Sequence, residues 1–423
     1  MLSLALNAYN SLATLRERRH RLVSYAFGDH WKDAAYDSDG IKDTEHDILT
    51  RQGRNPVTIN LLRRLVRTLV GRYRNEYADD YEKFELSIGS HNCIAELDAR
   101  LLEEFIISGC AVQRISSENR PAGKGVWIDN VDPRRFFVNR FSDPRGADIE
   151  LVGMFHDFSW PRFYNSFCRH RSEQKLRAIF SRWAGVPAIQ EEVSSIFDDS
   201  GNVADDKIQI CELWTFEPEK PSLKNKPLNL VWRQRFIAPD GSVIFTAVSP
   251  FAHGAHPFAV KLYPLIDGEV HSFLEDLIDP QRAINRLMTS FETAMATSAK
   301  GVLLFPEEQL TGGMDVADVA QLWAHPDAVI PIRGGSMNQL PLQMYSKIDT
   351  NGIMPAVQLH LQLLEEASGL SGILKGSGLS SSLGPDATKA IVSNADAALA
   401  DLTRSFRAFT LARNQKALRA LPR

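Results

Sequence analysis

The chain has 423 residues, 44% of them hydrophobic and 24% charged, with a formal net charge of −4 at pH 7. That length predicts two or three lobes rather than one simple core, and the composition excludes a disordered chain. The acidic balance excludes a protein that wraps nucleic acid over its whole surface, so any contact with DNA is expected to be local.

The first residues, MLSLALNAYNSLATLRERRHR, place a basic cluster after a short apolar run. A secretory signal has the reverse order, so an amphipathic helix is expected over 7–31, with Tyr9, Leu12, Leu15, Leu22 and Tyr25 near helical spacing and Gly28 after them. The acidic stretch Asp37 to Asp47 reads as a solvated loop. Asp37, Asp39, Asp43, Glu45 and Asp47 could be imagined around calcium, but the twelve-residue loop pattern is missing. A second helix is predicted over 56–78, with an apolar stripe of Leu61, Leu65, Leu69 and Val70. Its arginines 63, 64, 67, 72 and 74 read as a solvated face, or as a subunit interface or DNA-facing arc. A third helix over 95–108 ends at Gly109. Two short strands follow, Ala111–Ser116 and Gly125–Asn130, around a turn at 119–123.

Residues 161–182 read as one basic helix. Over 208–248 the pattern alternates again, with Pro239-Asp240-Gly241 as a hairpin turn. The first 270 residues are therefore expected to be mixed α+β with antiparallel strands. Asp279-Pro280 then signals a helix to about Ala299, with Ile284, Leu287, Met288, Phe291 and Met295 on one face. Twenty residues at 1.5 Å rise make a rod of ~30 Å. A strand-like run Gly301–Phe305 and a locally acidic, irregular segment lead to a second helix over 355–368. If the two helices pair antiparallel, the insertion sits at the tip of a helical hairpin. Gly369 to Asp386 is dominated by glycine and serine and is expected to form no packed core. A final helix runs over 387–420 with a basic tail. No apolar run approaches the ~20 residues that span a bilayer.

Enzyme motifs fail on inspection. Ala122-Gly123-Lys124-Gly125 resembles a phosphate loop, but Glu118 stands where the pattern needs glycine and Gly125 where it needs Ser or Thr. His253 and His256 have no Cys or acidic neighbour to complete a metal shell. Gly376-Ser377-Gly378 lacks the strand that mounts a nucleophile. The four cysteines 93, 110, 168 and 211 form no CxxC pair and are expected to be buried, reduced thiols. No enzymatic activity, metal or cofactor is expected.

Four stretches carry a resemblance. They are GRNPVTINLLRRLVRTLVG (Gly53–Gly71) with Asn60; ISGCAVQRI through WIDNVDPRRFFVN (Ile107–Asn139); HPFAVKLYPLIDGEVHSFLEDLIDPQRAINRLMTS (His256–Ser290); and SGLSGILKG (Ser368–Gly376) followed by a helix. In this order the chain resembles the portal, or head-to-tail connector, proteins of tailed bacteriophages, especially the short-tailed branch. The resemblance implies a portal fold: an α+β wing over 1–271, a helical-hairpin stem from 272–299 and 353–369, and a small α/β clip over 300–352. It further implies a tunnel loop over 370–386 and a C-terminal helix over 387–423. Relatives usually extend further at the C-terminus, so a short or missing crown is expected.

By the same resemblance the subunits form a ring, usually of twelve, at one capsid vertex of the virion, assembled in the host cytoplasm. Double-stranded DNA is packaged and ejected through it, bound without sequence preference, and no membrane is involved. The implied partners are the terminase large subunit, the head-to-tail adaptor, and the major capsid and scaffolding proteins. The implied site residues are Lys375, Ser377, Ser380 and Ser381 in the channel, and Gln281, Arg282, Asn285 and Arg286 in the stem. Glu307, Glu308, Asp315, Asp318 and Trp323 fall in the partner-docking clip. The rival expectations are another virion protein (a capsid or adaptor subunit) or a packaging-associated nuclease or ATPase.

Overall fold

The structure is a computed structural model that describes residues 1–37, 39–120, 123–189, 206–219, 229–300, 302–304, 315, 317–319, 342–344, 352–369 and 385–420. Two helices open the chain, α1 (Leu2–Ser11) and α2 (Ala13–Phe27), where the sequence predicts one. Gly28, left-handed at φ 108°, stops α2 as expected. The acidic stretch is not a plain loop. It forms the ribbon β1 (Ala34–Tyr36) and β2 (Lys42–Thr44), then α3 (Glu45–Arg51), capped by Thr44, whose Oγ1 accepts from the Asp47 N–H at 3.2 Å. Arg51 lies 2.7 Å from Asp43 and 4.0 Å from Asp37, so a guanidinium takes the place imagined for a cation.

Helix α4 (Leu61–Glu76) starts five residues later than predicted, because Asn60 caps it by accepting from the Arg63 N–H at 2.8 Å. Its buried stripe is Leu62, Leu65, Val66, Leu69 and Tyr73, rotated from the predicted one. Next come α5 (Ala78–Ile88) and α6 (Ile94–Ser108), which ends at Gly109, φ 70°. A Cβ there would lie 2.4 Å from the Tyr263 carbonyl oxygen, so glycine is required. Strands β3 (Cys110–Arg120) and β4 (Gly123–Asn130) pair antiparallel with Arg120 opposite Gly123, which puts Gly123, Lys124 and Gly125 of the phosphate-loop-like run in a ladder.

There follow β5 (Phe136–Val138), β6 (Leu151–Ser159), α7 (Trp160–Phe167) and α8 (Glu173–Trp183). The single helix predicted over 161–182 breaks between the last two, where Arg171 turns to donate to the Val243 and Ile244 carbonyls at 2.9 and 3.1 Å. Then come β7 (Lys207–Pro218), β8 (Leu230–Ile237), β9 (Val243–Val248), β10 (Phe258–Leu262), β11 (Leu265–Ile266) and β12 (Glu269–Val270). The hairpin at Gly241 (φ 81°) is as predicted, with Asp240 accepting from the Ser242 N–H at 2.8 Å. The last elements are α9 (Ile278–Lys300), β13 (Val302–Leu304), β14 (Leu342–Met344), α10 (Ile353–Ser368) and α11 (Pro385–Leu418).

Met1–His30, Asn60–Asp279 and Glu365–Arg423 form one compact unit, the body. It holds a five-stranded meander, β5-β6-β7-β8-β9, and a three-stranded sheet, β10-β3-β4. Strand β7 is buried from Ile208 to Trp214 on both faces, which erases the expected alternation. On one face Ile208 and Ile210 meet Phe163, Phe167 and Leu176 of α7 and α8, while Trp214 joins Val112, Phe136 and Phe258. On the other, Cys211 and Leu213 meet Ala5 and Tyr9 of α1. The basic tail of α11 turns inward: Arg413 pairs with Asp98, Arg407 with Asp80, and the Lys416 ammonium donates to the Phe258 carbonyl at 2.6 Å. Two cysteines, Cys110 and Cys211, are buried as expected, whereas Cys93 and Cys168 are exposed at helix ends.

Trp31–Ile59 and Pro280–Leu364 form a second compact unit. Residues 31–59, assigned from sequence to the wing, therefore cluster with the long helix. The strand expected near 301–305 is β13, paired antiparallel with β14, Val302 opposite Met344. Every strand pairing among the described residues is antiparallel, and the chain is mixed α+β. No helix among the described residues is long and apolar enough to cross a membrane.

Candidate functional site

Helix α9 starts at Ile278, continuing a 3-10 turn over Glu275–Leu277, so Asp279 lies inside its first turn rather than capping it. Of its predicted apolar face Ile284 is buried, and beside it runs a buried polar stripe. Gln281, Asn285 and Thr289 recur every fourth residue and are 0%, 1% and 3% exposed, whereas Met295, predicted on the buried face, is 51% exposed. The stripe binds an extended backbone. Asn285 Oδ1 accepts from the Ile59 N–H at 3.1 Å, and Thr289 Oγ1 from the Val57 N–H at 2.9 Å. Gln281 Nε2 donates to the Ile59 carbonyl at 2.6 Å and to Asn285 Oδ1 at 3.1 Å. An apolar side chain at Asn285 would leave the buried Ile59 amide without its acceptor. Asn285→Leu is expected to lose about 1–3 kcal/mol of stability, read as a lower denaturant midpoint with an unchanged slope; an unchanged midpoint refutes the assignment.

The stem arginines are matched by acids. Arg282 approaches Asp33 at 3.5 Å and Glu45 at 3.4 Å, and Arg286 pairs with the same Glu45, which is itself buried. Gln281 and Asn285 are thus structural polar groups, and Arg282 and Arg286 are neutralised within their own unit. Sequence reasoning missed Glu45 as their partner. Asp318 and Asp315 are exposed and bond across one turn, the Asp318 carboxylate accepting from the Asp315 N–H at 2.9 Å. Glu307, Glu308 and Trp323, with Lys375, Ser377, Ser380 and Ser381, lie outside the described residues.

The body holds an open cavity of about 1410 Å³ lined by Arg114, Arg120, His156, Trp214, Gln234 and Phe236, among others. Behind it Glu212 is fully buried. Its carboxylate accepts from Arg114 Nε at 2.9 Å, His156 Nε2 at 2.6 Å, Trp214 Nε1 at 2.8 Å and Gln234 Nε2 at 3.1 Å. Burial alone would raise its pKa, but the Arg114 charge and the His156 hydrogen bond outweigh that and hold the carboxyl far below its ordinary value. Every acceptor lone pair is engaged, so this carboxylate clamps β3 to β6, β7 and β8 and is not placed to exchange protons.

His253 and His256 use their Nδ1 atoms within their own loop, accepting from the Ala255 and Phe258 N–H groups at 3.0 and 3.2 Å. Burial, then the nearby Lys416 cation, pushes both rings down, His253 to about 4. Among the described residues no group of three or more His, Cys, Asp or Glu side chains is placed to hold a metal ion. No protein-family model matches the chain, and no curated protein matches it either.

Proposed function

We propose that this chain is a portal-type subunit that assembles into a ring at a capsid vertex and passes double-stranded DNA through its centre. The supporting observation is the order of elements along the chain. Helix α9 begins in the body unit and passes to the second unit after Asp279, the paired strands β13 and β14 bracket residues 305–341, and α10 returns to the body unit at Glu365. The 34-residue α11 then docks on the body through Arg413 and Asp98. In this reading α9 and α10 build the stem, residues 300–352 are the clip that meets terminase and adaptor, and 370–386 the tunnel loop that meets the DNA.

The charge pattern of α9 fits passage without capture. Phosphate contacts by free cations release counterions and bind tightly. Arg282 and Arg286, already matched by Asp33 and Glu45, offer little net positive charge to hold a sliding duplex. A closed ring needs a head-to-tail interface in which each subunit presents one face to the next. Negative-stain microscopy and native mass spectrometry of the purified full chain test this: a pierced ring of uniform stoichiometry is expected. A monomer at assembly concentrations, or a closed shell, overturns it.

A further inference from the structure

Helix α4 breaks three local rules on one exposed face. Arg63 and Arg64 sit in its first turn, which carries no acidic residue, so positive charge stands at the positive end of the helix dipole. Arg64 and Arg67 are spaced for mutual repulsion, and Arg67 repels Arg63 one turn back. Gly71 sits in mid-helix, exposed, with open space where a Cβ would go, so nothing in this chain demands glycine there. A sequence that breaks local rules with no structural gain marks a functional surface.

The arginines are unequal. Arg63 is held by Glu103 at 2.6 Å and lies over the Phe27 ring, and Arg74 is near Glu96 at 3.5 Å. Among the described residues the Arg64 and Arg67 guanidinium groups have no partner, and both are exposed. With Asn60, Arg63 and Thr68 they line a shallow groove of about 420 Å³. Arg64, Arg67, Gly71 and Arg74 fall along one line of the helix, with Thr68 and Asn75 beside them. That line offers no large apolar side chain, the anchor a protein interface draws on. It offers guanidinium forks, which match phosphate, and a gap at Gly71 where a backbone can come close.

We propose that this face of α4, and not the stem arginines of α9, docks the sugar–phosphate backbone of duplex DNA, independent of sequence. Arg64 and Arg67 supply the phosphate contacts, and Gly71 lets the strand approach the helix. The proposal deepens the DNA-handling role above, yet it does not need the ring, because binding can be read for the protein in any oligomeric state.

The test is fluorescence anisotropy of a labelled duplex of arbitrary sequence, titrated with the full chain at several salt concentrations. The Arg64→Gln/Arg67→Gln double variant should bind about 10-fold more weakly at moderate salt, and its log–log salt slope should fall by about 2. Gly71→Ala should raise the melting temperature, as alanine favours helix, while weakening binding several-fold. Wild-type protein that does not bind the duplex overturns the proposal, as does a double variant that binds like wild type. So does a double variant that keeps its affinity but loses self-assembly, which would make the face a subunit interface. Normal loss of DNA binding in a protein that forms no ring would sink the portal reading and leave this one standing.

Discussion

Asp98→Asn is expected to destabilise the body by about 3–5 kcal/mol. Asp98 and Arg413 are 0% and 1% exposed, and they bond in a two-pronged pair at 2.9 and 2.7 Å. Gln113 completes the knot: its Oε1 accepts from Arg413 at 2.8 Å and its Nε2 donates to Asp98 at 3.1 Å. Asparagine leaves the guanidinium in the core with no counter-charge, and no water can reach it to compensate. The knot ties α11 to α6 and β3, so amide exchange in the C-terminal half of α11 should rise with the drop in stability. An apolar double variant, Asp98→Leu/Arg413→Met, removes both charges and should recover much of the loss. Guanidinium chloride melts of the three proteins decide it: a single-variant loss under about 1 kcal/mol would show that the pair does not anchor the helix.

The elements themselves were largely legible. Gly28, Gly109 and the Asp240-Gly241 turn end their elements where the sequence predicts, because each relies on backbone geometry that neighbours cannot override. Helix boundaries failed where a side chain from elsewhere decided them. Residues 56–60 fall inside the helix predicted over 56–78, but Asn285 and Thr289 hold the backbone at Val57 and Ile59 from more than two hundred residues away. The stem face was legible only in part. Counting apolar residues finds Ile284, which is buried, but also points to Met295, which is exposed, and misses the buried polar stripe Gln281, Asn285 and Thr289.

A readable signal for the buried knots was present. Glu212 interrupts the apolar run of β7, and Asp98 sits on the inward stripe of α6 between Ile94 and Leu102. A charged residue at a core position of a periodic pattern needs a buried partner. The identities of those partners, Arg114 and Arg413, depend on tertiary approach and are not contained in local pattern. The channel and clip residues proposed from resemblance fall largely outside the described residues, so the docking of α11, the path through β13 and β14, and the matched arginines of α9 carry the functional reading instead.

Glu212→Gln should cost about 3–5 kcal/mol near neutral pH, and the cost should shrink in acid. Glutamine keeps one acceptor oxygen but turns the other into a donor, aimed among Arg114, His156, Trp214 and Gln234, which all donate. Arg114, 14% exposed, loses the carboxylate whose charge raises its pKa against the opposing effect of burial. The sign of the pH dependence follows from linkage. The folded carboxyl is held far below the unfolded value of about 4.3. Its contribution is therefore complete above that value and is lost as pH falls toward the folded pKa, by about 1.4 kcal/mol per pH unit, because the unfolded state takes up the proton first. The wild-type minus variant difference should stay flat from pH 7 to about 5 and decline below about 4.3. Since the two proteins share every other carboxylate, the subtraction isolates this one. A difference that stays constant through pH 3 would mean that Glu212 is not the ionised centre of the clamp.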